Sequence, residues 1–214
     1  MTPRQPDITL YDFELSASCY KVRLLLSLLG VQYKRVPINF FPAFEHRKPA
    51  FLKVNPLGQL PALVDGDLVV RDAQAILAYL AKTYDSTGRW LPDEPSAFGQ
   101  TMMWLFFAAS ELSAATVARL HDMLGFPADE AAAKQAARKA FRIVDDHMTR
   151  REFEGASWVV GDHPTLADLV LFPSIALSRD FGMEHDQFAA LRRWMRRLRG
   201  IDNFIVMPGI PEYY

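Results

Sequence analysis

A single cysteine, Cys19, stands among 214 residues. This excludes an intrachain disulfide, makes a cysteine-rich zinc site implausible, and leaves nothing that requires an oxidising compartment. Charge of one sign is also scarce in surplus: 24 basic against 25 acidic residues give a formal net charge of -1. No overall field therefore draws the chain to nucleic acid. Its one basic concentration, Arg192, Arg193, Arg196, Arg197 and Arg199, reads as the solvated face of a helix. Long hydrophobic runs are missing too, since the apolar stretch 169–177 is short and interrupted by Pro173. Residues 1–7 lack the basic-then-apolar order of a secretory leader. The expectation is a cytoplasmic protein with no membrane partner, no nucleic-acid partner and no metal site.

What is present is a hydrophobic half, 50% of residues, enough for one large core or two small ones. Residues 8–11 alternate as a strand, 18–29 repeat their apolar residues as a helix, and 32–38 read as a second strand. That is a β-α-β unit. A short irregular helix is expected over 44–53, a hairpin of 60–64 and 68–70 across Asp65-Gly66-Asp67, and a helix over 73–82. Turn formers then crowd the stretch from Ser86 to Pro95, and beyond it strand signals nearly vanish. Helices are expected over 96–124, 128–154, 166–177 and 188–199. The domain reading is a mixed α/β domain over 1–85, a linker over 86–95 and an all-α domain over 96–214.

The stretch Asn55-Pro56-Leu57-Gly58-Gln59-Leu60-Pro61-Ala62-Leu63-Val64-Asp65 sets a proline at the mouth of a short strand. A proline is accommodated at a strand's first residue, and a cis bond there turns the preceding backbone outward. Further on, Arg71-Asp72-Ala73 puts an acid at the start of a helix, where it suits a ligand's ammonium group. Together they suggest a peptide-like ligand held mainly by backbone. Thr165-Leu166-Ala167-Asp168 is a capping box with a short acid, opening a helix that is nearly all apolar.

Four pieces in this order resemble the cytosolic glutathione transferase family across nearly the whole chain. They are Ser16-Ala17-Ser18-Cys19-Tyr20-Lys21-Val22-Arg23-Leu24, the run from Asn55 to Leu63, the run from Asp72 to Leu80, and Gly161-Asp162-His163-Pro164-Thr165-Leu166-Ala167-Asp168. The resemblance implies a thioredoxin-like domain that binds glutathione as co-substrate, followed by a helical-bundle domain, and a homodimer. It implies that Leu60, before a cis Pro61, offers its backbone to the cysteinyl part of glutathione. Asp72 then faces the γ-glutamyl ammonium. Ala73 stands where the family usually has serine, so one hydroxyl contact to the γ-glutamyl carboxylate is missing, while the helix's free amides remain. Lys53 and His46 align with positions near the glycyl carboxylate, and Gln59 with a peptide contact.

Family chemistry requires the glutathione thiolate, because a thiol near its ordinary pKa of about 8.5 is a weak nucleophile at neutral pH. By resemblance Ser16 donates to that sulfur, with Ser18 as a second polar group; either also suits the cap of the first helix. Tyr11, inside a strand, reads as packing. Cys19 occupies the place of the second, buried cysteine of a redox motif whose first position is Ser16, so it is expected to be unreactive. Phe107 and Glu111 are the candidates to hold the second substrate, a small apolar electrophile. Transfer of glutathione is the leading activity, with peroxide or disulfide reduction and a non-catalytic binding module as alternatives.

Overall fold

The computed structural model describes residues 7–210, so all but Asp7 of the segment examined for a leader lies outside the described residues. The chain divides into two compact units, Met1–Asp85 and Ser86–Tyr214.

The first unit is a mixed sheet of four strands in the order β2-β1-β3-β4: β1 (Ile8–Asp12), β2 (Lys34–Pro37), β3 (Ala62–Asp65) and β4 (Leu68–Arg71). β1 alternates buried and half-buried residues, as a two-residue period requires. It runs parallel to β2 through the helix α1 (Ala17–Leu28) and antiparallel to β3. The β3–β4 hairpin turns at Gly66-Asp67, with Gly66 at φ 59°. After β2 come a 3-10 turn (Glu45–Arg47) and the short α2 (Pro49–Leu52), the irregular helical stretch expected there. α3 (Ala73–Tyr84) packs against α1.

The register fixes one row across the sheet: Val36, Tyr11, Ala62 and Arg71 are neighbours in turn. The chain therefore leaves β1 toward Ser16, enters β3 from Pro61 and leaves β4 toward Asp72 at one end of the sheet. The peptide bonds Leu60-Pro61 and Phe41-Pro42 are both cis.

The second unit is helical: α4 (Pro95–Ser110), α5 (Ser113–Leu124), α6 (Glu130–Phe153), α7 (Leu166–Ala176) and α8 (Ala189–Arg199). The single helix expected over 96–124 is two. Leu112 N–H bonds Phe107 O, five residues back, at 3.2 Å, and the Ser110 hydroxyl donates to Phe106 O at 2.9 Å. Side-chain bonding to the preceding turn bends a helix in this way. By length and composition 95–124 is apolar enough to cross a membrane; here α4 buries Thr101, Trp104, Leu105 and Ala108 and packs on α7.

All of α7 is buried, so its first-turn amides need protein partners. The capping box forms. Thr165 N–H bonds the Asp168 carboxylate at 2.9 Å and the Thr165 hydroxyl accepts from Ala167 N–H at 3.2 Å. Asp168 also accepts from Val159 N–H (3.1 Å) and Trp194 Nε1 (2.8 Å), tying the preceding loop, α7 and α8 to one carboxylate. Burial raises its pKa, against the pull of those donors. The α8 arginines are largely paired: Arg193 and Arg197 bond Glu152, and Arg192 bonds Asp186.

Candidate functional site

Ser16 is the N-cap of α1. Its hydroxyl oxygen accepts from Cys19 N–H at 3.2 Å, which leaves its own proton free to be donated outward. The first turn of α1 carries no acid, so the positive end of the helix dipole is not neutralised there. Ser16 and Ser18 are both half-buried.

The loop that delivers Ser16 is held by a charge cluster that sequence reasoning missed. Asp12, fully buried at the end of β1, pairs with Arg23 of α1 and Arg35 of β2. Arg23 in turn donates to Glu14 O at 2.8 Å. The only signal in the sequence is a charged residue, Arg23, next to the apolar run Leu24-Leu25-Leu26 of α1.

Cys19 is fully buried and accepts weakly from Phe13 N–H at 3.4 Å. Burial and the nearby Asp12 push its pKa up to about 12, so it stays a thiol at neutral pH and is a poor nucleophile. Tyr11 packs edge-on to Phe51 at 5.9 Å, as its strand position suggests.

Across the sheet, the 55–61 loop is built around Asn55. Its amide donates to Gln59 O at 2.8 Å and its carbonyl accepts from Leu57 N–H at 3.1 Å. Gly58 sits at φ 60°, and a Cβ there would lie 3.0 Å from His46 O, so both conformation and space call for glycine. The result sets the half-buried Leu60 before cis Pro61 with no protein partner for its backbone N–H or C=O among the described residues.

Asp72 is the N-cap of α3 at φ 76°, ψ 131°, a conformation that non-glycine residues adopt rarely and usually where function demands it. One carboxylate oxygen takes the Gln74 and Ala75 amides at 2.9 and 3.1 Å. The next amide along, Ile76 N–H, bonds Asp72 O. Ala73 N–H is the first-turn donor left over. Ala73 itself is buried.

His46 is buried, stacked on Phe40 at 4.2 Å, and its Nδ1 has no hydrogen-bond partner among the described residues. Burial and the neighbouring Arg47 lower its pKa, so it is neutral at pH 7. Lys53 and Gln59 are exposed.

Phe107 and Glu111 belong to the second unit, one turn apart at the α4 bend, where Glu111 N–H bonds Phe107 O at 2.9 Å. Phe107 is half-buried, edge-on to Trp104 at 5.2 Å, and Glu111 is exposed. In the same unit His121, Asp122 and Glu130 bring ligand atoms within 4.8 Å of one another. The Lys134 ammonium already bonds Asp122 (2.8 Å) and Glu130 (2.6 Å), so the cation those acids favour is supplied by the chain.

The N-terminal domain model of glutathione S-transferases matches residues 6–82, and the C-terminal domain model matches 101–202. A maleylacetoacetate isomerase of Rhizobium meliloti is 33% identical over 210 residues, covering 92% of this chain and 94% of its own. Among solved structures, a glutathione S-transferase of Xanthobacter autotrophicus superposes with a TM-score of 0.83 at 26% identity, over 95% of this chain and 98% of that one. Yeast Ure2p in complex with glutathione gives 0.82 at 27%, over 94% and 97%. With both domain models in order and one-third identity across nearly its full length, the chain belongs to the glutathione S-transferase family, a thioredoxin-like domain followed by a helical one.

Proposed function

We propose that the chain binds glutathione at the end of the sheet bounded by Ser16, Leu60 and Asp72, and activates its thiol for transfer to a small apolar electrophile. The observation that carries this reading is Ser16, whose hydroxyl is anchored by Cys19 N–H and keeps a proton for sulfur. A hydrogen bond to a charged acceptor contributes about 1.5–3 kcal/mol, and the α1 N-terminus adds to it. Leu60 contributes its free backbone pair, Asp72 a carboxylate for the γ-glutamyl ammonium, and the unpartnered His46 Nδ1 with Lys53 and Gln59 the outer contacts. Ser18 is the supporting polar group. Phe107 and Glu111 are assigned to the electrophile.

Ser16→Ala is expected to lower kcat/KM toward an aryl halide roughly 10- to 100-fold. The bound thiol's pKa, followed by thiolate absorbance, should rise by about one to two units. Activity within twofold of wild type would move the role to Ser18 or a backbone amide. Two further readings have specific support. The Rhizobium relative's name adds maleylacetoacetate isomerisation, and Ala73, without a hydroxyl, favours weak or purely non-catalytic binding. A panel of aryl halide, peroxide, mixed disulfide and maleylacetoacetate separates the reactions.

A further inference from the structure

α6 and α8 pack against each other, and together they gather charge that the sequence keeps apart. Over 138–153 and 189–199, ten arginines and lysines stand against three acids, while the rest of the chain holds 14 against 22. Local ion pairs do not cancel this excess. Glu152 is shared by Arg193 and Arg197, and Asp145 is buried with one oxygen on the α8 amides and the other 3.6 Å from Arg142. On the outer side of α6 one stripe, Lys139, Ile143, Asp146, Arg150 and Phe153, repeats at steps of four and three residues, and every member is exposed. Lys139 and Arg150 form no ion pair among the described residues. The stripe ends on Phe153, 88% exposed at the last position of α6.

Read alone, the α8 arginines give a solvated face and the expectation of no membrane partner. The fold adds a second row of cations from α6 and an apolar side chain projecting from among them. Clustered arginines and lysines are drawn to the negative potential of an anionic leaflet, and an aromatic residue beside them gains by entering the boundary between headgroups and acyl chains. A stacked DNA duplex would meet the same cations but offers Phe153 no apolar medium. We propose that the α6–α8 face is a peripheral docking surface for anionic lipid, with the arginines and lysines over the headgroups and Phe153 as the inserted residue. The contact lies on the bilayer and does not span it, and it uses none of the residues assigned to glutathione.

The test is co-sedimentation of the full chain with vesicles of phosphatidylcholine containing about 30% phosphatidylserine, at roughly 0.05 M salt so that screening stays weak. Binding is expected there, absent on pure phosphatidylcholine, and lost when the salt is raised to about 0.5 M. Lys139→Glu with Arg150→Glu should abolish it. Lys34→Glu with Lys48→Glu, which changes net charge equally on exposed residues of the first unit, should leave it within about twofold. Phe153→Ala should weaken it roughly tenfold, the low end for burying a phenylalanine side chain. All five substituted positions are exposed, so the variants should keep the wild-type melting temperature, which thermal melting checks. No binding to the anionic vesicles overturns the proposal, as does an equal response of the two charge-reversed variants, which would report net charge alone. Phe153→Ala binding as wild type also overturns it, and tighter binding to a short DNA duplex than to the vesicles would assign the face to nucleic acid instead.

Discussion

A buried ammonium is a liability that its own proton can relieve. Burial lowers the Lys21 pKa to about 8 from 10.5, with Asp72 opposing. In the unfolded chain Lys21 keeps its proton up to about pH 10.5, whereas in the folded chain it gives it up near pH 8. Between those values the unfolded state binds more protons, so this residue's contribution to stability rises with pH. Below pH 8 both states carry the charge and the burial penalty stands in full, about 3 kcal/mol by linkage. Lys21→Met removes the group, so below pH 8 the variant should be more stable than wild type, and the gap should close by about 3 kcal/mol between pH 8 and 10.5. Urea denaturation of both proteins across pH 7 to 11 measures it. Taking the difference cancels Cys19, whose raised pKa of about 12 works in the opposite sense. A gap that stays constant with pH would mean that the folded chain lets water reach Lys21.

At the scale of elements, the terminus of α8 shows where helix ends are not local matters. Its N-cap, Phe188, has no side chain that can accept, and Asp145 of α6 supplies the acceptor instead, taking Ala190 and Leu191 N–H at 3.0 Å each. All three residues are buried. Asp145→Ala leaves two enclosed amides without partners and is expected to destabilise the chain by roughly 2–6 kcal/mol, at about 1–3 per orphaned buried group; Asp145→Asn, which keeps an acceptor, should lose less. Chemical denaturation gives the first figure, and faster hydrogen exchange at Ala190 and Leu191 locates the damage. A loss under 0.5 kcal/mol, about what a neutral surface substitution produces, would mean that water replaces the carboxylate. Sequence made the local devices legible: the alternation of β1, the hairpin, the Thr165–Asp168 box, the proline before β3 and the acid at the start of α3. Devices that join distant residues were not. Asp145 and α8 are 45 positions apart, and the Asp12, Arg23 and Arg35 cluster spans β1, α1 and β2. The α4–α5 bend also escaped, because apolar periodicity runs through it and only the Ser110 hydroxyl marks the break.

For the molecule as a whole, the proposed function gives binding and activation to separate residues, and stability can tell them apart. A ligand that binds only the folded state stabilises it by RT ln(1 + [L]/Kd), about 2.7 kcal/mol at one hundred times Kd. For a chain of this size that is a rise in Tm of roughly 5–10 °C. In the proposed site Leu60 and Asp72 would hold glutathione through backbone and carboxylate, whereas Ser16 would meet only its sulfur. Ser16→Ala should therefore keep most of the glutathione-induced rise while losing activity, and Asp72→Ala should lose most of the rise. Asp72→Ala also removes a helix cap worth about 1 kcal/mol, so each protein is compared with its own ligand-free Tm. Hydrogen exchange adds the map. Residues 12–19, 58–62 and 71–76 leave or enter the sheet at one end through the register Tyr11, Ala62 and Arg71, and these three segments should gain protection together when glutathione is added. Protection confined to one of them would break the site apart. A rise in Tm with no gain in any of them would place glutathione elsewhere, since a ligand held by Leu60 and Asp72 cannot bind without slowing exchange at its own contacts.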